Sequence, residues 1–313
     1  MKKKIVFHLL ITVVFCLAVT LAKAQTVDDA VMMDKKQWCN GLTYMHSSWK
    51  EYWEGTTKRQ NKNLGTVTTQ SLMLMSNYGI SDKVNVLVTV PYIWTNASAG
   101  TLQGMKGFQD IELDVKYEFY QTKIGKGKLS LIAVGGFSTP LTDYEKDFLP
   151  MSIGLGSTNF SGRLTADFQH GIFFTTLSSS FVWKSDVTID RTSYYTDHIV
   201  YSNKVDMPNQ LYSNLLIGIR KSNLTVQGVI MNMYTFGGSD IRKNDMPFAA
   251  NQMNMTTLGA HVKYFLPWVP NLEVIGGADF VVDIPQLNIA GRNVGQSSTY
   301  TAGLYYVLSL NKK

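Results

Sequence analysis

Charged residues are scarce in this sequence of 313 residues, at 17% against about 25% in typical soluble domains. Cysteine is rarer still, since Cys16 and Cys39 are the only two. Cys16 lies in an apolar N-terminal stretch, and removing that stretch leaves one thiol, which excludes an intramolecular disulfide. The sequence has no Cys-x-x-Cys or His-Glu-x-x-His pattern, so it predicts neither a metal site nor a cofactor.

Long apolar runs are missing after the first 25 residues, so the sequence predicts no transmembrane helix there. The start of the chain has a basic beginning, an apolar run over 5–21, and small residues at Ala22 and Ala24. This order is typical of a signal peptide cleaved after Ala24, and the run is short for the alternative, a membrane-anchoring helix. Cleavage removes four of the 29 Lys and Arg residues and leaves 25 against 23 acids. No basic field for nucleic acid then remains.

The residue types that favour strands and turns are abundant, among them Tyr, Phe, Thr, Val, Asn and Gly. Alternation of apolar and polar residues between turn signals predicts about twelve strands. Most of them reach the roughly 9–11 residues that a tilted strand needs to cross a bilayer. The expected bounds are 41–52, 64–78, 83–95, 109–121, 128–139, 158–168, 172–184, 209–220, 224–236, 255–265, 272–284 and 297–310.

The connections between these strands alternate between tight turns and long polar loops. After a long link at 54–63, short links fall at 79–82, 121–127, 169–171, 221–223 and 266–271, with long ones between them. An outer-membrane barrel has turns at one rim and loops at the other, whereas a soluble sandwich gives no reason for that segregation. We therefore predict an all-β, membrane-spanning, antiparallel up-and-down β-barrel in the outer membrane of a Gram-negative bacterium. The expected division is signal peptide, periplasmic segment or plug, and barrel, at residues 1–24, 25–40 and 41–313.

The two faces of the strands differ in chemistry. In the stretch Asp110 to Phe119, charged residues alternate with apolar ones, and an apolar face against lipid turns the charged face inward. Charges of both signs in one interior need water or salt bridges, so we expect a wet lumen whose wall sets selectivity. The predicted lumen-lining residues are Asp110, Glu112, Asp114, Lys116, Glu118, Arg163, Asp167, Arg220, Lys263, Glu273, Asp279 and Asp283.

Aromatic residues collect at the ends of the predicted strands, as in Tyr92 with Trp94 and Phe181 with Trp183. This placement predicts interfacial girdles in contact with outer-membrane lipid. A separate group of aromatics lies in the longest loop. Its members Tyr194, Tyr195 and Tyr201 are read either as part of a solvated surface loop or as a capture site for aromatic ligands.

One pattern of turns and strand starts runs through three segments, at 78–94, 104–119 and 138–157. A Gly-x-x-Asp turn leads into a strand that ends in Pro-Tyr, a second Gly-x-x-Asp opens the next strand, and a Pro-containing loop closes on Gly-x-Gly. The positions are Gly79, Asp82, Pro91, Tyr92, Gly107, Asp110, Pro140, Pro150, Gly154 and Gly156. In these features residues 35–310 resemble the outer-membrane proteins of the meta-pathway of phenol degradation family, relatives of the long-chain fatty-acid channels.

The resemblance implies passive uptake of hydrophobic or aromatic compounds across the outer membrane. It also implies insertion by the barrel assembly machinery. The chain departs from many such barrels at its end, where the last strand finishes on Leu310 and a polar tail rather than on an aromatic residue. The function predicted from the sequence is thus a non-enzymatic channel for small solutes, with hydrophobic or aromatic compounds favoured.

Two other functions fit the same sequence. One is a structural or adhesive barrel with a closed lumen, in which the inner charges form a salt-bridge network. The other is a barrel phospholipase, which needs a Ser nucleophile beside a His base. His46 next to Ser47 is the one local pairing of this kind, but consecutive residues on a strand face opposite sides.

Overall fold

The structure is a computed structural model that describes residues 26–241, 247–287 and 289–310. Its wall consists of twelve antiparallel strands. The predicted signal peptide and the polar C-terminal tail lie outside the described residues. The strands are β1 Gln37–Trp49, β2 Val67–Ser81, β3 Val84–Ala97, β4 Asp110–Ile124, β5 Gly127–Pro140, β6 Asn159–His170, β7 Phe173–Lys184, β8 Asn209–Arg220, β9 Leu224–Phe236, β10 Asn254–Phe265, β11 Leu272–Val281 and β12 Ser298–Ser309.

Each strand pairs with its neighbours in sequence, and the first strand closes the barrel on the last. The closing register runs from Gln37 opposite Ser309 to Ser48 opposite Ser298, while β1 also pairs with β2 along its length. A closed sheet has no edge strand, so every wall strand has a partner on both sides. Among the described residues, no helix is long and apolar enough to cross a membrane.

Short turns and long connections lie at opposite rims, as predicted. The short connections are at 82–83, 125–126, 171–172, 221–223 and 266–271. They share one rim with the start of β1 and the end of β12, and in outer-membrane barrels the rim with the short turns faces the periplasm. The all-β barrel prediction is confirmed.

Several predicted strand bounds differ from the structure by three or four residues, and three of these differences have a visible cause. The first strand begins at Gln37 rather than at 41, because its pairing with β12 continues to Ser309. The second ends at Ser81, since β2 runs through a register shift near Gly79 instead of turning there. The eleventh ends at Val281 rather than at 284, because the chain at Ile284 folds back and hydrogen-bonds to Ile289.

The outer face of the barrel is apolar. At mid-height it exposes aliphatic side chains such as Leu74, Leu164 and Leu177, which are 58–65% accessible. Aromatic side chains lie nearer both rims: Tyr92, Trp94, Phe160, Trp183 and Phe236 toward the long loops, and Tyr78, Tyr117, Phe119, Phe168 and Tyr306 toward the short turns. This belt with aromatic girdles matches the surface that a bilayer requires.

The long loops pack against one another at the outer rim. Val187, Val205 and Met207 form a buried cluster with Phe248 and two alanines from another loop. Leu149 and Leu155, from the loop after β5, pack against the same cluster. The outer loops therefore have an apolar core of their own.

Candidate functional site: the barrel lumen

Strand β4 carries the densest set of predicted lumen residues. Its outward side chains Leu113, Val115 and Tyr117 are exposed, whereas Asp114 and Lys116 between them are 1% and 0% accessible. Only the interior of the barrel can bury a charged residue on such a strand, because the other face meets lipid. Glu118 is also buried, and its carboxylate accepts a hydrogen bond from Gln121 at 2.8 Å.

Asp167 and Arg220 meet near the periplasmic end of the lumen. One guanidinium nitrogen of Arg220 lies 3.1 Å from Asp167, and the Thr176 hydroxyl donates to the same carboxylate at 2.5 Å. The guanidinium also lies 4.0 Å from the centre of the Phe174 ring. A carboxylate and a guanidinium held in this way brace β6, β7 and β8 against one another.

A second group lies on β10 and β11. His261 Nε2 is 2.9 Å from both oxygens of Asp279. Glu273 is buried, and its Oε2 has no hydrogen-bond partner among the described residues. Lys263 faces the same interior and pairs with Asp29, which precedes β1 and does not belong to the wall.

Asp283 lies outside the wall, contrary to its predicted position on a lumen face. It follows the end of β11, and its carboxylate lies 3.6 Å from Lys58 Nζ in the outer hairpin after β1. The apolar-polar alternation of the sequence continues past Val281, but the backbone leaves the sheet there, so the parity rule no longer applies.

Residues 26–36 contact the inner side of the wall, at the end where β1 starts. The carboxylate of Asp29 is 3.2 Å from Lys116 Nζ and 2.7 Å from Lys263 Nζ. Lys116 also donates to the backbone carbonyls of Thr26, Asp29 and Val31. Since β4 and β10 are six strands apart in a ring of twelve, Asp29 connects opposite sides of the barrel.

Arg163 and Asp28 form a further contact between this segment and the wall. The guanidinium of Arg163 on β6 pairs with Asp28 and holds the pKa of that carboxyl below its usual range. Burial disfavours the charged form of Asp29, but Lys263 and Lys116 outweigh that effect and hold its pKa below the usual range too. Both aspartates are therefore ionised partners of wall cations at neutral pH.

Apolar contacts fix the same segment at two points. Met33 is 1% accessible and packs with Met75, Tyr305 and Val307 of the inner wall. Ala30 packs against Ile132 and Val134 of β5. Cys39, expected before the first strand, instead lies within β1 and belongs to the Met33 cluster.

Gly79 accounts for the close approach of this segment to β2. A Cβ atom added there would lie 2.2 Å from the Asp34 carbonyl oxygen, which no side chain tolerates. The Lys36 amide donates to the Gly79 carbonyl at 2.8 Å, and the Lys35 amide donates to Asp82 at 2.8 Å. Two positions of the sequence resemblance, Gly79 and Asp82, thus hold the segment.

The outer mouth of the lumen is bordered by Tyr144. Its hydroxyl donates to Asp110 at 2.5 Å and accepts from the Gly156 amide at 3.1 Å. Burial and the Asp110 carboxylate both raise the pKa of Tyr144. A Cβ atom on Gly154 would lie 2.4 Å from the same hydroxyl, so both glycines of the Gly-x-Gly pattern lie against the Tyr144 hydroxyl.

The predicted capture residues of the longest loop differ in environment. Tyr194 stacks on Phe248 with ring centres 5.1 Å apart and packs against the apolar loop cluster. Tyr201 is 86% accessible, and Tyr195 is also exposed. The described residues contain no group of three or more His, Cys, Asp or Glu side chains placed to hold a metal ion.

A closed twelve-stranded barrel with an apolar girdled exterior and a charged interior is the architecture of an outer-membrane barrel protein. No protein-family model and no curated protein sequence matches the chain. Among solved structures the chain is similar to the COG4313 outer membrane channel from Pseudomonas putida F1, with a TM-score of 0.71 and 12% identity over 91% of this chain and 100% of that chain. It also matches the NanC porin (TM-score 0.45, 9% identity, 84% of this chain and 98% of that chain) and the CymD monoaromatic hydrocarbon channel (TM-score 0.41, 9% identity, 90% of each). At such identities the likeness concerns the fold.

Proposed function

We propose that the protein is an outer-membrane channel for passive diffusion of small solutes, with hydrophobic or aromatic compounds as the favoured class. The observation that carries the proposal is the lumen itself. The lumen wall is lined with charged residues. Residues 26–36, which precede the first strand, occupy part of the lumen together with the wall side chains. A barrel whose interior is filled by the side chains of its own wall leaves no room for such a segment. The similarity of the fold to an outer membrane channel supports the same function.

Wall charge is the second part of the proposal. Asp110, Glu112 and Asp114 form a column of carboxylates on β4 toward the outer mouth. In a narrow lumen such a column attracts cations and sets the ion preference of the pore. Exposed Tyr195 and Tyr201 would make first contact with aromatic solutes at the surface.

Conductance in planar bilayers, together with liposome swelling by small neutral solutes, tests the channel. We expect ion conductance from the purified chain and a weaker cation preference when Asp110, Glu112 and Asp114 become Asn, Gln and Asn. Asp197→Asn is the matched control, because this carboxylate lies in an exposed outer loop. Absence of both conductance and swelling would contradict the channel.

The second candidate is a structural or adhesive barrel with a permanently closed lumen. The packed outer loops and the ion pairs that hold residues 26–36 favour it. In that case neither the wild type nor variants with a weakened segment would conduct, and the outer loops would carry the function. Insertion by the barrel assembly machinery stays a prediction for both candidates.

A further inference from the structure

Three cations of the lumen wall converge on two consecutive aspartates of residues 26–36. Lys116 and Lys263 share the carboxylate of Asp29, and Arg163 pairs with Asp28. The cations come from β4, β10 and β6, so the cluster spans the barrel. Within the part of the chain that the structure describes, these aspartates are the ion-pair partners of all three cations.

The wall offers other carboxylates, but they form no ion pair with the three cations. Glu112 and Asp114 lie near Arg163, and Glu273 lies near Lys263. Asp114 and Glu273 each keep one buried oxygen without a hydrogen-bond partner in the described residues. The three cations thus pair with carboxylates that are not part of the wall rather than with those of the wall.

Release of the segment would leave Lys116, Arg163 and Lys263 without these partners. Charges that have lost their partners in a largely desolvated site are strongly unfavourable. A neutral hydrocarbon cannot replace the aspartates, because it offers no acceptor to ammonium or guanidinium groups. A small anion with a carboxylate replaces them group for group, since these cations bind carboxylates through charge-assisted hydrogen bonds.

We propose that Lys116, Arg163 and Lys263 form a carboxylate-binding site of the channel, and that Asp28 and Asp29 occupy it as an internal ligand. A small organic carboxylate competes with the segment for the three cations, displaces it and opens the lumen. The inference rests on the proposed channel function and names a compound with a carboxylate as the ligand that opens the lumen, while Asp110, Glu112 and Asp114 still set which ions pass.

Direct binding tests the site without requiring conduction. In the full-length Asp28→Asn/Asp29→Asn variant the cations lose their internal ligand, while the segment keeps its size. By calorimetry in detergent we expect benzoate to bind this variant at least about tenfold more tightly than it binds the wild type, because no internal carboxylate competes. Benzamide, of similar shape but neutral, is expected to show no such gain. Equal affinity of benzoate for the variant and the wild type would overturn the site.

The matched control is Asp34→Asn, which removes one negative charge from the same segment at an exposed residue. Its benzoate affinity is expected to equal that of the wild type. Heat-modifiable migration on a gel checks that each variant forms a barrel before its affinity is compared.

Conductance then separates this inference from the channel proposal. We expect benzoate, but not benzamide, to increase the open time of the wild type, and Lys116→Met/Lys263→Met to abolish that response. Conduction by the wild type with equal responses to benzoate and benzamide would refute the carboxylate site and leave the channel standing. Tight benzoate binding without conduction in any variant would refute the channel and leave the site standing.

Discussion

The lumen has two levels that use charge differently. Toward the outer mouth, Asp110, Glu112 and Asp114 stand as neighbours of like sign, with one hydrogen bond from Tyr144. Toward the periplasm, Lys116 and Lys263 share the opposite charge of Asp29. Like charges side by side repel and need water or mobile counterions, whereas matched buried charges fix a geometry. The outer level therefore suits passage of ions and the inner level suits closure.

The largest expected effect is at the inner level. Lys116→Met leaves Asp29 with one cation fewer and removes hydrogen bonds to three backbone carbonyls. Loss of one partner from a buried ion pair costs about 3–5 kcal/mol. Urea unfolding of the barrel in lipid vesicles measures this. Lys123→Met makes the same chemical change at an exposed residue of β4 and is expected to stay within about 0.5 kcal/mol of the wild type. Equal stabilities of the two variants would mean that the inner level is not fixed by Lys116.

A smaller effect is expected from crowding the segment against β2. Gly79→Ala places a Cβ atom 2.2 Å from the Asp34 carbonyl oxygen, and such overpacking costs about 1–3 kcal/mol. Hydrogen exchange of the Lys35 and Lys36 amides should therefore become faster. Gly135→Ala on β5 is the control, because a Cβ atom there meets nothing within 4 Å. Unchanged exchange in Gly79→Ala would show that the segment does not depend on this close approach.

At the outer level the effect of a single change is smaller again. Tyr144→Phe removes the hydrogen bonds to Asp110 and from the Gly156 amide, and the expected loss is about 1–2 kcal/mol of local stability. Proteolysis of the loop at 141–158 should become faster without a change in global unfolding. Tyr201→Phe serves as the control because that side chain is 86% accessible. If both variants are cut at the same rate, Tyr144 does not anchor the loop.

The smallest effect concerns pH. Because the pKa of Asp29 is lowered in the folded protein, its contribution is present above its unfolded pKa and disappears as pH falls through the folded value. We therefore expect no pH-dependent increase in conductance between about pH 8 and about pH 5, where this carboxyl stays ionised. Conductance recorded across that range checks it. Opening in the upper part of the range would assign the closure to a group other than Asp29.

The sequence predicts the wall far better than it predicts the segment inside it. Period-two alternation on β4 separates Asp114 and Lys116 from Leu113 and Val115 because the sheet geometry enforces that parity along the whole strand. The contact of Asp29 with Lys263 joins residues 234 positions apart, and no local period encodes it. The available signal was indirect: inward-facing cations such as Lys116 need anionic partners, and two consecutive aspartates lie just before the first strand.

Strand ends show a second limit of the sequence. The Gly-x-x-Asp pattern at 79–82 predicts a turn, yet β2 continues past Gly79 to Ser81 because the pairing with β3 tolerates a register shift there. The sequence does not reveal the start of β1, because Lys36, a residue without turn character, has a positive φ of 63° where the chain enters the strand. In both places the bound of the strand depends on its pairing with a partner strand, and the local sequence does not indicate that partner.

Closure of β1 on β12 sets an order of events during biogenesis. The last pairing joins residues 37 and 309, so the cylinder cannot close until nearly the whole chain has left the translocation machinery. Residues 26–36 precede β1 and contact strands from β2 to β12, so their complete binding surface exists only after that closure. Pairing between such distant parts of a chain is slow. The segment is thus expected to seat last, and a newly closed barrel passes through a short-lived state with an unoccupied lumen.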